Sequence, residues 1–177
     1  MTEYRRARNP GATWFFTVNL AQRHGNRMLV EQIDRLRAAF LIVQKKHPFK
    51  VEAIVVLPDH LHCLWRLPPG DSDYGVRWGL IKSAFSRGMT AVERRSASRQ
   101  TRGERGIWQR RFWEHLVRDE EDFAHHADYI HYNPVKHGWA RAPSEWKYSS
   151  FGRFVKEGIY SRNWGDSAQL RGASFGE

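Results

Sequence analysis

The chain has 177 residues, 41% of them hydrophobic, which suits one packed domain and excludes a disordered protein. Lys and Arg number 29 against 19 Asp and Glu, a net charge of +10, and so basic a small domain points to a polyanion, nucleic acid ahead of an anionic membrane surface. Cys63 is the only cysteine, which excludes an internal disulfide and a cysteine-built zinc site and leaves His, carboxylate and amide groups as metal ligands.

Met1 to Pro10 is polar, carries three arginines and lacks the apolar core of a secretory signal. No run of about 18 apolar residues occurs, so no membrane partner is expected, and the reading is a cytoplasmic protein. Trp14 to Leu20 is aromatic and β-branched and predicts a strand. Arg23 to Asn26 predicts a turn. Leu29, Ile33, Leu36, Phe40 and Val43 then recur at the spacing of an amphipathic helix, which Pro48 ends. Val51 to Leu57 and His60 to Leu67 are strands separated only by Pro58-Asp59, an antiparallel hairpin. Asp71 to Asp73 offers an N-cap for a second helix running to about Arg94.

Residues 93–106 contain five arginines among fourteen residues and almost nothing apolar. This predicts a flexible basic loop that orders on DNA phosphates through Arg94, Arg95, Arg99, Arg102 and Arg105, the alternative being a merely solvated loop. Arg110 and Arg111 come next and join the same DNA-binding set. Arg111 to Arg118 predicts a fourth strand. Asp119 to Asp122 places acids in the first turn of a third helix, as the helix dipole favours. That helix sends Phe123, Ala127 and Ile130 inward and is expected to stop at Asn133-Pro134, because a residue before proline avoids the helical region. Trp146, Tyr148, Phe151 and Trp164 anchor the C-terminal stretch. The chain has eight tryptophans; any single one is better read as core, though Trp and Tyr among arginines also offer flat faces to unstacked bases.

The order strand, helix, strand, strand, helix, strand matches the ferredoxin-like split βαβ arrangement. The expected fold is therefore α+β. It has a four-stranded antiparallel sheet, helices on one face, and an additional C-terminal helix. The expected organisation is one domain over residues 1–152 and a tail over 153–177.

Two groupings carry chemistry. His60-Leu61-His62 lies on a strand, where period two puts both imidazoles on one face, able to share a metal ion. Asp59 stands ready to orient one of them. Alone, a His-x-His is more often a surface or core pair. In the second, Tyr129 and Asn133 are four apart on a helix and so share a face. A phenol is a poor nucleophile at neutral pH and needs help from a metal or base, while an amide oxygen is a reasonable hard ligand beside two imidazoles. Without context, a packed Tyr and a helix-terminal Asn is the better reading. Tyr132 is the rival nucleophile, close to Tyr129 on the helix, and sequence does not fully separate the two. His115 suits a structural role on the fourth strand. His125 and His126, one turn before Tyr129, could meet DNA phosphate. His131 and His137 read as surface or packing residues.

Taken in order, several strings resemble the REP-associated tyrosine transposases, a branch of the single-tyrosine HUH transposases. They are Leu57-Pro58-Asp59-His60-Leu61-His62, Trp108-Gln109-Arg110-Arg111-Phe112-Trp113, Arg118-Asp119-Glu120-Glu121-Asp122-Phe123, and the stretch from Tyr129-Ile130-His131-Tyr132-Asn133 to Pro134-Val135-Lys136-His137-Gly138. The resemblance covers roughly residues 10–152. It implies that His60 and His62 are metal-binding histidines, that Tyr129 attacks a DNA phosphate to leave a 5′-phosphotyrosine and a free 3′-hydroxyl, and that Asn133 matches a polar ligand often glutamine in the wider superfamily. It further implies a Mg²⁺ or Mn²⁺ cofactor, a palindromic hairpin with a single-stranded guide as partner, and a monomer. Tyr129 is preferred over Tyr132 because it pairs with Asn133 and occupies the family's position. Two other readings compete. One is a domesticated hairpin-binding protein that no longer cuts, against which the retained histidine pair and tyrosine argue. The other, an RNA-binding domain of the RRM type, lacks that module's aromatic signature and ranks last.

Overall fold

The computed structural model describes residues 8–90, 93 and 95–166, and all structural statements concern these. Strands β1 (Thr13–Asn19), β2 (Lys50–Val56), β3 (His60–Arg66) and β4 (Trp113–Leu116) form an antiparallel sheet in the order β2-β3-β1-β4, that of the split βαβ fold. The short β2–β3 connection closes with the Leu57 N–H donating to the His60 carbonyl at 2.8 Å.

Alternation along the strands sorts the two faces. Trp14, Phe16 and Val18 of β1 and Leu61, Cys63 and Trp65 of β3 face a core shared with α2 (Ile33–Lys46) and α3 (Tyr74–Ser86). Trp65 and Trp78 stack there with ring centres 4.2 Å apart. The other face receives α5 (Glu120–Lys136), whose Ala127 and Ile130 pack on Phe15, Val55 and Leu64. The helix that carries Tyr129 thus covers the face opposite the other two long helices, and a pocket can form between it and the sheet.

Several local expectations are corrected. The stripe from Leu29 to Val43 divides at Gln32 into α1 (Met28–Glu31) and α2. The second helix stops at Ser86, not near Arg94. The basic segment is not wholly irregular, since Ala97–Thr101 forms α4. Pro134 lies inside α5 and does not end it. Its missing N–H falls in the last turn. There the Trp139 N–H donates to the Pro134 carbonyl at 2.8 Å and the Gly138 N–H to the Val135 carbonyl at 3.0 Å, with Gly138 at φ 71°. That is a Schellman cap, and it satisfies the final carbonyls. α5 starts where its acids place it, with the Asp119 side chain accepting from the Asp122 N–H at 2.8 Å.

Gly152, expected as a boundary, falls within α6 (Phe151–Lys156). Phe151, Phe154 and Tyr160 are buried with α5, and Tyr160 stacks on Trp164. Behind α5 lies a buried polar chain. His131, fully buried and not a surface residue, reaches Ser150 Oγ through Nε2 at 2.8 Å and the Tyr160 hydroxyl through Nδ1 at 3.3 Å. The Tyr160 hydroxyl donates to Asp128 Oδ1 at 2.6 Å. Burial, with Arg153 nearby, pushes the His131 imidazole down to about 3 from an ordinary 6.5. A lowered folded-state value means that folding resists protonation. This contribution is complete above pH 6.5 and is lost as pH falls toward 3. The stability gap between wild type and His131→Gln, read from urea midpoints at stepped pH, is therefore expected to shrink on acidification. The slope is about 1.4 kcal/mol per pH unit below the unfolded value. A gap independent of pH between 7 and 4 would refute a neutral buried His131.

Candidate active site

β3 delivers His60 and His62 to the α5 side of the sheet, opposite Asn19 and Thr17 of β1 in register. Both imidazoles are 3% exposed, with ring centres 5.0 Å apart. Each is held by its Nδ1. His60 Nδ1 donates to Asp59 Oδ1 at 2.6 Å, and His62 Nδ1 meets Thr17 Oγ1 at 2.8 Å. Asp59 also accepts from the Arg23 guanidinium at 2.7 Å. At His60 the Nδ1 proton given to Asp59 leaves Nε2 as the available lone pair, and at His62 the same holds when Nδ1 donates to Thr17, the arrangement that orients histidine for a metal.

The electrostatics favour neutral rings. Burial lowers the proton affinity of His60 and outweighs the opposing pull of Asp59. His62 is held far lower, by burial first and then by the repulsion that a proton there would meet from His60, His137, Arg23 and Lys136. Burial would raise the Asp59 carboxyl, but hydrogen bonds from His60 and Arg23 win and keep it below the usual range.

α5 brings Tyr129 to the same place. Its ring centre lies 5.2 Å from that of His62 and 5.9 Å from that of Phe15. Together these residues line a cavity of about 310 Å³. Asn133, one turn further along the same helix face, is completely buried, and neither amide atom has a hydrogen-bond partner; the same is true of His62 Nε2 and Asn19 Oδ1. Buried polar atoms are rarely left so. His62 and Asn133 belong to the expected ligand set, and imidazole and amide donors suit a borderline divalent ion, but Asn133 is not among the residues that line the cavity. Tyr132 does not line this cavity; its ring lies toward Gly165.

Sequence reasoning missed four neighbours. Thr17 and Asn19 carry no motif; only alternation along β1 together with its pairing partner would have found them. His137, read as a surface or packing residue, lines the cavity with its ring centre 5.2 Å from that of His60. Lys136 sets its ammonium 5.2 Å from the centre of the Tyr129 ring. Both come from continuing α5 past Pro134.

A second grouping, His115, Asp122 and His126, also holds potential ligand atoms close together. Its atoms already bind one another. Asp122 Oδ2 accepts from His115 at 2.9 Å and from the Arg118 N–H and guanidinium at 3.0 Å each, and His126 Nδ1 donates to the Asp122 carbonyl at 2.7 Å. Burial would raise the Asp122 carboxyl, but the bonds from Arg118 and His115 hold it far below the usual range. With an arginine in place of a cation, the grouping ties β4 to the start of α5.

The basic residues divide. Arg94 lies outside the described residues. Arg105 turns inward and binds Glu93 and the carbonyls of Ser86, Met89 and Thr90, so its guanidinium closes the segment upon itself. Arg99 donates to the Trp108 carbonyl at 3.1 Å, and Arg110 pairs with Glu104 at 2.7 Å. Arg95, Arg102 and Arg111 are exposed.

No protein-family model matches the chain. A REP-associated tyrosine transposase of Escherichia coli strain K12 is 45% identical over 164 residues, covering 93% of this chain and 91% of that protein. The chain belongs to the REP-associated tyrosine transposases. A Haemophilus influenzae protein assigned to the same group is 44% identical over 172 residues, 97% of each chain. A solved REP-associated tyrosine transposase bound to a REP hairpin aligns with a TM-score of 0.81 at 43% identity, over 100% of this chain and 98% of that one. Members of the family are enzymes of the HUH type. Among the described residues no helix is long and apolar enough to cross a membrane.

Proposed function

We propose that this protein binds a REP-like DNA hairpin and cuts the adjoining single strand, with Tyr129 as nucleophile and a divalent ion held by His60, His62 and Asn133. The observation that carries this reading is the Tyr129 ring 5.2 Å from that of a buried His62 whose Nε2 has no protein partner. The hairpin bound by the solved relative supports the same class of partner here. Mg²⁺ or Mn²⁺ suits the site, Mn²⁺ tolerating imidazole better. When bound, such an ion would polarise the scissile phosphate and offset the charge that builds on its oxygens.

The chain's own residues do the rest. Asp59 and Thr17 hold the two imidazoles in one tautomer. Tyr129 loses its proton as its oxygen attacks phosphorus; the Lys136 ammonium beside the ring favours the charge that develops. The bond from phosphorus to the 3′-oxygen breaks, and that oxygen gains a proton. The products are a 5′-phosphotyrosine and a 3′-hydroxyl. Attack of a 3′-hydroxyl on the phosphotyrosine runs the step backwards, so strand joining needs no nucleotide hydrolysis. Histidines and tyrosine meet within one chain, which supports a monomer, and a DNA substrate supports work at the nucleoid in the cytoplasm. The test is incubation of the protein with an end-labelled REP hairpin and Mn²⁺, followed by denaturing electrophoresis. A denaturation-resistant adduct is expected; hairpin binding without any adduct would favour the domesticated binder.

Grip on the DNA backbone is proposed to come from the exposed members of the basic set. Each phosphate neutralised on a single strand or duplex adds about 0.7 to 0.9 to the salt slope of binding. Arg95, Arg102 and Arg111 changed together to Gln are expected to flatten that slope by roughly two units and to weaken matched and scrambled guides about equally. Hairpin affinity measured against salt decides it. An unchanged slope would mean that these side chains are only solvated, and a selective loss on the matched guide would mean that they read bases.

A further inference from the structure

Of the eight tryptophans, four are buried, two are half-buried, and two stand exposed, Trp113 at 54% and Trp139 at 43%. A single exposed apolar side chain needs no explanation, but two indoles beside one system of hollows do. Both stand at the active site. Trp113 lines the cavity that holds Tyr129 and His62. Trp139 lines an adjoining cleft of about 300 Å³, and the two hollows share Arg23, His60 and His137. The exposed indoles therefore line two hollows that meet at Arg23, His60 and His137.

The Trp139 cleft is built by distant parts of the chain. The Schellman cap of α5 turns the backbone at Gly138 and projects Trp139 beside the 23–27 turn. The Arg27 guanidinium lies 5.5 Å from the centre of the Trp139 ring, so the indole already carries a planar cation. Arg23, between the two hollows, has a side chain 46% exposed even though it binds Asp59. An aromatic face flanked by two arginines suits a nucleotide: the base stacks, and the guanidiniums meet the phosphates. An apolar peptide would gain nothing from those charges, and a bare anion would not need the indole.

We infer that Trp139, with Arg27 and Arg23, forms a stacking subsite for one unpaired nucleobase next to the scissile phosphate, in the hollow that adjoins the Tyr129 cavity at His60. This rests on the reading of the site as a nuclease and names the surface that holds the strand beyond it. Stacking tolerates any base, so the subsite positions the strand more than it reads sequence.

The experiment uses Tyr129→Phe protein, which needs no cleavage, and REP hairpin oligonucleotides with an unpaired flank in which 2-aminopurine replaces each unpaired base in turn. One position is expected to be strongly quenched on binding. Trp139→Leu keeps apolar bulk but removes the aromatic face; it should abolish that quench and weaken binding about 5- to 150-fold. Trp139→Phe should retain most of both. The weakening should vanish when the quenched position is made abasic. Quenching unchanged in Trp139→Leu overturns the proposal, as does an equal loss on normal and abasic DNA, which would mark the indole as a packing residue. The two readings fail separately. If wild type forms the covalent adduct but no quench depends on Trp139, only the subsite is wrong. If the quench depends on Trp139 but wild type forms no adduct, the nuclease chemistry is wrong and the subsite stands.

Discussion

Tyr129→Phe is expected to abolish the covalent protein–DNA adduct, lowering its formation by more than about 10³-fold, as loss of a nucleophile does. Hairpin affinity should change by less than about 1 kcal/mol, since one hydroxyl is removed and the ring stays. The ring already packs between Phe15 and His62, and phenylalanine preserves both contacts. Tyr132→Phe serves as the internal comparison. That ring lies toward Gly165, away from the paired histidines, and its loss should leave the adduct intact. Labelled hairpin resolved on a denaturing gel reads the chemistry, and a mobility shift reads the binding. The assignment fails if the adduct survives in Tyr129→Phe and disappears in Tyr132→Phe.

The second large effect concerns the histidine pair. On the proposed reading, in which the two rings hold an ion at the phosphate, His60→Ala and His62→Ala should each reduce cleavage at least about 100-fold while costing binding far less. Excess chelator should stop the wild type, and added Mn²⁺ should restore it. Asp59→Ala and Thr17→Val remove the groups that fix Nδ1 of the two rings, and smaller losses of about 10- to 100-fold are expected from loosening an otherwise complete set. The graded order, ligands before their supports, separates a metal site from a merely buried pair of imidazoles. Full cleavage in excess chelator would sink the metal reading.

Much of this site is local, and local features are legible. A period of two puts His60 and His62 on one face, whatever lies opposite, and a spacing of four puts Tyr129 and Asn133 on one face of any helix. The acids at the start of α5 and the cap at Asp119 are equally short-range. The family strings add the roles. Pro134 misled because the rule about residues before proline is itself local. It was overridden by burial of Ile130, Asn133 and Pro134 and by a cap that needs Gly138, four residues on.

The amino-acid sequence by itself determined which side chains share a face within each element, the strong positive charge, and the family. Those come from backbone geometry and composition, which act over a turn or a strand. Only the tertiary structure decided which faces meet. Thr17 and Asn19 enter the site through β1–β3 register, and His137 through the last turn of α5. Arg105 leaves the basic surface because carbonyls from the end of α3 and the residues after it surround it. Trp113 and Trp139 stay exposed while Trp65 and Trp78 are buried. Burial is set by the element that packs above a residue, and that partner comes from elsewhere in the chain.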